Sequence, residues 1–384
     1  MSLTVITGRH TSLIATNTMS AICPNLLAWL FSNERFAEAL ASLSGVFPSS
    51  SWDLAFAVAY HPGFACNLTC SYCYQKHESL KEQKGIWKPT IHKKDICDKR
   101  EIANFIFAEM NRARMKQIDL SLLGGEPLMY LDDIGDFVKE LRALMQIRSV
   151  SVITNGTLMS PNSLQILDKI GCNEVQITFD GNSYFHNKFR KNRSGRGTYR
   201  QVMNACKLVV GSGIKLNIRI NVTSQNLRSI DELIIDLSRT MIGKHARINL
   251  ALIDDTDSYH DSNWEKGELI RQIYHIYKLL AENELHASTK FMRMHCGTCG
   301  DPFERAGLVV ASDGKLYSCW DTAGDILQAV GDVRKGYNPK LFDSNWKHCG
   351  YRGSKAISWF NDIEAAATRG LLDGAWNVNH SRRG

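Results

Sequence analysis

Between residues 54 and 253, short apolar runs alternate with longer segments whose apolar residues recur at helical spacing, and this order constrains the fold more than any other feature. The strand candidates are residues 54–60, 118–123, 149–154, 174–179, 215–222 and 247–253; the helix candidates between them are 98–114, 131–146, 161–170, 198–212 and 226–242. Six strands separated by five helices predict an α/β fold with a parallel sheet, either doubly wound or a full or partial barrel. In such sheets ligands gather at the carboxyl ends of the strands. Residues 264–286 read as a further long helix that closes the sheet, and no sequence repeat underlies the alternation.

The flanks read differently. Residues 1–50 carry no motif, although 2–7 is strand-like and 24–43 has the pattern of an amphipathic helix, a cap or part of a substrate platform. Beyond residue 285 helical periodicity fades, 291–350 is rich in Cys, Gly and Asp, 354–372 is helical again, and the polar tail 377–384 is expected to fray. Three units are therefore expected: 1–50, a core over 51–285, and a cysteine-rich unit with a terminal helix over 286–384. With 384 residues, 44% hydrophobic, the chain has ample material for a buried core. No apolar stretch approaches the roughly 20 residues of a membrane span, and residues 1–9 lack the pattern of a secretory signal. A cytoplasmic, reducing setting follows, in which 11 cysteines serve metals or catalysis more readily than disulfides. The formal charge of +7 concentrates in 76–100 and 188–200, which read as solvated loops or as a surface for an acidic peptide. No nucleic-acid motif accompanies the charge, and no nucleic-acid partner is expected.

The first strand runs into His61-Pro62-Gly63-Phe64-Ala65-Cys66-Asn67-Leu68-Thr69-Cys70-Ser71-Tyr72-Cys73-Tyr74. Cysteines at this spacing can mark one buried helix face. The Pro-Gly opening, the polar residues between the thiols and the strand-end position argue instead for a metal site. Thiolates hold iron-sulfur clusters, and a [4Fe-4S] cube with three local ligands keeps one iron open for a substrate or cofactor. Zinc is the competing metal, with His61 or His77 as a further ligand.

The Cys-x3-Cys-x2-Cys spacing, with Tyr72 before the last cysteine, resembles the signature of the radical S-adenosylmethionine enzymes. The resemblance implies a partial (β/α)6 barrel, a [4Fe-4S] cluster on Cys66, Cys70 and Cys73, and S-adenosylmethionine bound to the open iron. Reductive cleavage then gives a 5'-deoxyadenosyl radical, with a flavodoxin- or ferredoxin-type electron donor. Gly124-Gly125-Glu126-Pro127, Thr154-Asn155-Gly156, Thr178-Phe179-Asp180-Gly181 followed by His186 and Arg190, and the strand around Arg219 are similar in order to the peptide-modifying subgroup with C-terminal auxiliary clusters. The resemblance places Tyr72, Gly124, Gly125, Glu126, Pro127, Thr154, Asn155, Thr178, Arg219 and Leu252 around S-adenosylmethionine. Arg219 takes its carboxylate, a role that suits a permanently charged, bidentate guanidinium; a structural ion pair is the alternative.

Cys296, Cys299, Cys319 and Cys349 form a second group, and residues 309–317 read as a hairpin turning at Asp313-Gly314 that returns Cys319 towards Cys299. Zinc on these four thiolates is one reading. The Cys299-x14-Gly314-x4-Cys319 stretch is similar to the opening of a SPASM/Twitch-like domain, but the subgroup's further cysteines are missing, so the resemblance implies one auxiliary [4Fe-4S] cluster on these four residues. Cys23, Cys97, Cys172 and Cys206 are left over, the last two as small buried hydrophobes. The implied activity is hydrogen abstraction from a precursor peptide and its cross-linking as a cyclophane or thioether. A small molecule such as a sugar is the other substrate class, and a non-catalytic metal-binding regulator is the reading from outside enzymes. Asp180, Asp254, Asp255 and Tyr317 are candidates to take up a proton.

Overall fold

The computed structural model describes residues 4–7, 11–15, 20–24, 55–73, 75, 91, 95–253, 265–288, 306–341 and 359–381. At the amino end β1 (Thr4–Thr7), β2 (Thr11–Ala15) and β3 (Ser20–Pro24) form a separate antiparallel sheet. Pro24 ends β3, and the rest of the helix expected over 24–43 lies outside the described residues. The core then follows the predicted alternation: β4 (Phe56–His61), α1 (Lys99–Arg112), β5 (Gln117–Leu122), α2 (Leu131–Leu144), β6 (Gln146–Thr154), α3 (Pro161–Lys169), β7 (Glu174–Phe179), α4 (Ser183–Phe189), α5 (Tyr199–Ser212), β8 (Lys215–Val222), α6 (Ile230–Ser238), α7 (Met241–His245) and β9 (Ala246–Leu252). After it come α8 (Lys266–Glu282), β10 (His286–Ser288), β11 (Gly307–Ala311), β12 (Lys315–Tyr317), β13 (Ala329–Asp332), β14 (Gly336–Tyr337) and α9 (Phe360–Ser381).

Strands β4 to β9 are mutually parallel in sequence order, as in a partial (β/α)6 barrel. β10 extends the sheet beside β9, and β11 extends it beside β4, both parallel. The expected hairpin forms as β11 and β12, and β13 and β14 continue the sheet antiparallel. Among the described residues no helix is long and apolar enough to cross a membrane.

Parallel sheets covered by helices on both faces read as continuous apolar runs. These strands alternate instead. Leu120, Val152, Ile177, Ile218 and Leu250 share one face, buried in a core with Ile106, Phe137, Leu167, Val202 and Leu233 of the helices. Ser121, Ser151, Gln176, Asn217 and Asn249 share the opposite face and are half-buried. The Ser121 and Ser151 hydroxyls lie 3.1 Å apart, Asn217 donates to Glu174 at 3.2 Å, and Asn249 donates to Asn217. This polar inner face is the wall of the barrel. Near β4 it turns apolar, where Ala59, Val309, Ala311 and Tyr317 pack with Phe64.

Three departures from the sequence reading have physical causes in the structure. The helix expected over 226–242 is a 3-10 turn followed by α6 and α7, because Ser238 and Thr240 back-bond to the carbonyls of Ile235 and Leu237 and stop α6. Helix α4 is an addition to the expected elements; the Asn182 side chain caps it by accepting from the Phe185 N–H at 3.1 Å. The tail expected to fray from residue 377 is helical through Ser381, pinned to the neighbouring α8 by Tyr274 to Asp373 at 2.9 Å and Asn377 to Glu282 at 2.8 Å.

Helices α8 and α9 lie side by side and approach closely at two glycines. A Cβ at Gly370 would stand 2.3 Å from the Tyr274 carbonyl oxygen, and one at Gly374 would stand 2.5 Å from that of Lys278. Gly374→Val is expected to force the pair apart and destabilise the fold by about 1–3 kcal/mol, read by chemical denaturation.

Candidate active site

The cysteine loop leaves β4 at His61 and is gripped from two sides. On one side, Gly125 donates its N–H to the Gly63 carbonyl at 3.1 Å and Glu126 donates to Ala65 at 3.0 Å. A Cβ at Gly125 would lie 2.1 Å from the Ala65 oxygen, and Gly124 has φ +147°. The paired glycines are therefore required by the loop's own backbone, which makes the close approach expected of a ligand. On the other side, the end of α4 and the segment after it lie along the loop: Thr69 donates to the Lys191 carbonyl at 2.8 Å, and Ser71 donates to the Phe189 carbonyl at 3.1 Å. Arg193 closes this side with Nη2 2.9 Å and Nε 3.3 Å from the Cys66 carbonyl.

Tyr72 joins the two sides. Its phenol donates to Asp180 Oδ1 at 2.6 Å and accepts from Arg190 Nη1 at 2.9 Å and Asn221 Nδ2 at 3.0 Å. One donor and two lone pairs are thus all used. Arg219 Nε donates to Asn221 Oδ1 at 2.8 Å, one hydrogen bond away. Burial raises the Asp180 carboxyl above its usual range, with Arg190 and Tyr72 opposing. Asp180 is fully buried in this cluster, so it braces the loop and is not placed to meet a substrate.

Glu126 forms a second bracket. Oε1 accepts from Thr154 Oγ1 at 2.6 Å and from the Leu128 N–H at 3.1 Å, while Oε2 accepts from the Asn155 N–H at 2.8 Å. The side chain thereby ties the ends of β5 and β6 together beneath the loop, and Pro127 opens the following 3-10 turn. The Asn155 side chain reaches the loop itself, at Asn67 and Cys66.

Cys66, Cys70 and Cys73 are half-buried, and burial followed by the neighbouring Cys70 pushes the Cys73 thiol up to about 11. Among the described residues no three metal-binding groups converge on one point. Three thiolates on one loop are the ligand chemistry of iron-sulfur clusters, and by that chemistry the donor set suits a [4Fe-4S] cluster. His61, the alternative zinc ligand, is fully buried beside Phe64, and neither ring nitrogen has a protein partner. Thr178 pairs in register with Arg219. Leu252 sits instead in the helix-facing core. Tyr317 is buried at the end of β12, and burial raises its phenol far above the usual range, so it keeps its own proton and is not poised to take up another. Cys319 is buried just past β12. Asp254, Asp255, Cys296, Cys299, Cys349 and His77 lie outside the described residues.

Over residues 60–237 the sequence matches the Radical SAM superfamily, and the protein carries a radical SAM domain. In and around that stretch the chain is similar to the anaerobic sulfatase-maturating enzymes. It is 27% identical over 158 residues to the serine-type anaerobic sulfatase-maturating enzyme of Bacteroides thetaiotaomicron, a match covering 40% of this chain and 36% of that one. The chain thus spans little more than a third of that relative's length. The cysteine-type anaerobic sulfatase-maturating enzyme of Clostridium perfringens is 22% identical over 331 residues, 79% of this chain and 86% of that one. Among solved structures the fold is similar to native anSMEcpe with bound AdoMet, with a TM-score of 0.59 at 18% identity over 85% of this chain and 97% of that one. It is also similar to Streptococcus suis SuiB bound to precursor peptide SuiA, with a TM-score of 0.50 at 14% identity over 99% and 97% of the two chains.

Two outcomes follow from this geometry. Gly125→Ala is expected to displace the cysteine loop, so that iron content after anaerobic reconstitution falls sharply while circular dichroism stays native. Burial lowers His61 to about 3 from an ordinary 6.5, and His186 is lowered as well. The unfolded chain therefore binds protons that the folded one does not; stability is full above pH 6.5 and declines as pH falls towards 3. For His61 alone the loss between pH 7 and 5 is about 2 kcal/mol. His61→Leu should flatten the acid limb of urea-unfolding stability by about that amount.

Proposed function

We propose that this protein is a radical S-adenosylmethionine maturase that cross-links a ribosomally made precursor peptide. The observation that carries the reading is a three-cysteine loop braced at the carboxyl end of a parallel sheet whose inner face is polar and half-exposed. Cys66, Cys70 and Cys73 would hold a [4Fe-4S] cluster, which together with S-adenosylmethionine would supply the radical chemistry that removes a hydrogen atom from the substrate.

The chain's own residues orient and shield that chemistry. The turn at Gly124 to Glu126 gives two N–H groups to the cysteine loop, and this reading assigns the methionine ammonium to the Gly124 and Gly125 carbonyls, since that of Glu126 already accepts from the Met129 N–H. Arg219, held by Asn221, offers a fixed cation to the methionine carboxylate. Asp180, Arg190 and Tyr72 are positioning residues that keep the loop in place. Asp254 and Asp255, which come two and three residues after the last residue of β9 in the sequence, are the proton acceptors in this reading. In the basic stretch 188–200, Arg190 and Arg193 are committed to the loop, while Lys191, Arg196 and Arg200 are exposed and suit an acidic peptide. The likeness to SuiB, solved with a precursor peptide, supports that substrate class.

One auxiliary [4Fe-4S] cluster on Cys296, Cys299, Cys319 and Cys349 belongs to the unit over 286–384. Ala311 pairs with His61, and β12 runs back from that level as far as Tyr317, which lies opposite Val309, itself the partner of Ala59. A flavodoxin- or ferredoxin-type protein delivers the reducing electron.

Anaerobic, reconstituted protein given S-adenosylmethionine and dithionite is expected to release 5'-deoxyadenosine, and the encoded precursor peptide should lose two hydrogens per cross-link by mass spectrometry. Cys66→Ala should abolish both; equal release from that variant would overturn the reading.

A further inference from the structure

We infer that Asn155 sets the reduction potential of the cluster by donating a hydrogen bond to the Cys66 sulfur, an inference that rests on the cluster assignment proposed above. Asn155 is buried at the end of β6, with its backbone N–H fixed on Glu126 Oε2 at 2.8 Å. Its Oδ1 accepts from the Thr157 N–H at 2.9 Å and the Thr157 hydroxyl at 2.6 Å. A backbone N–H can only donate, so this contact decides which end of the amide is oxygen. The Nδ2 end must then face the cysteine loop, where it lies 2.9 Å from Asn67 Oδ1 and 3.7 Å from Cys66 Sγ. Asn67 Nδ2 donates back to the Thr157 hydroxyl at 2.8 Å and closes a ring of three side chains. The Leu68 N–H adds a second donor to Cys66 Sγ at 3.4 Å.

A donor aimed at a ligating sulfur stabilises the form of the cluster with more negative charge. One electron from an external reductant takes a [4Fe-4S] cluster from the 2+ to the 1+ state, and the Asn155 amide favours the product. Asn155 is therefore a positioning residue that acts through Cys66, and it joins the Gly124 to Glu126 turn to the first cysteine of the loop.

The test is an anaerobic potentiometric titration of reconstituted protein with dithionite, followed by electron paramagnetic resonance of the reduced cluster, with iron measured in parallel. Asn155→Ala removes the donor, and Asn155→Asp replaces it with a charged acceptor of the same shape. Both midpoints should become more negative than that of the wild type, with the Asp variant shifted further. If only the Asp variant loses iron, the Ala variant decides. A loaded Ala variant with an unchanged or more positive midpoint, or loss of iron from both variants, overturns the inference. Absence of a cluster from the wild type instead overturns the reading on which it rests.

Discussion

The Tyr72 phenol joins the halves of the site. The residue sits between the second and third cysteines, yet its partners come from the end of β7, the segment after α4 and the end of β8. Removing an oxygen here would leave a carboxylate, a guanidinium and an amide buried together with unmet bonding capacity. That penalty fixes the loop's position relative to the sheet. The other attachments, through the Gly124 to Glu126 turn and the Arg193 clamp, then place its cysteines at the carboxyl end of the strands.

The second constraint is the two-faced polarity of the strands. Their apolar face is sealed by helices, and their polar face would be costly to bury dry, so the sheet must curl around a space that polar groups and ligands occupy. The apolar patch where β11 and β12 meet β4 limits that space on one side. The fold and the site therefore share one cause: the period-two pattern that builds the barrel wall also supplies Arg219 and Asn221 to the inner face.

Much of this was legible in the sequence because it is local. The alternation gave all six core strands, the cysteine spacing marked the loop, and Asp313-Gly314 marked the hairpin. Cys172 and Cys206 are buried as small hydrophobes. Less legible were features whose partners are distant in sequence. Arg193, in a stretch that reads as a solvated basic loop, bonds to a carbonyl 127 residues away. Asn67, which reads as a spacer between thiols, bonds to Asn155 and Thr157. The polar tail after residue 377 reads as frayed because polarity normally means solvent, whereas Asn377 is held by Glu282. Leu252 has the right place in the chain for the site but the wrong parity, which turns it into the helix-facing core.

By itself the sequence determined the class of chain: a parallel α/β core with a thiolate loop at a strand end and an added hairpin followed by Cys319. Spacing and periodicity record those features, since both are set by backbone geometry within a few residues. Only the tertiary structure decided the roles of the site's polar groups. It turned Asp180 and Glu126 into braces, reserved the paired glycines for the loop's own backbone, and brought the Asn155 amide to a cysteine 89 residues away. A polar side chain's role depends on which partner has a matching donor or acceptor within about 3 Å, and that is settled when distant strand ends meet.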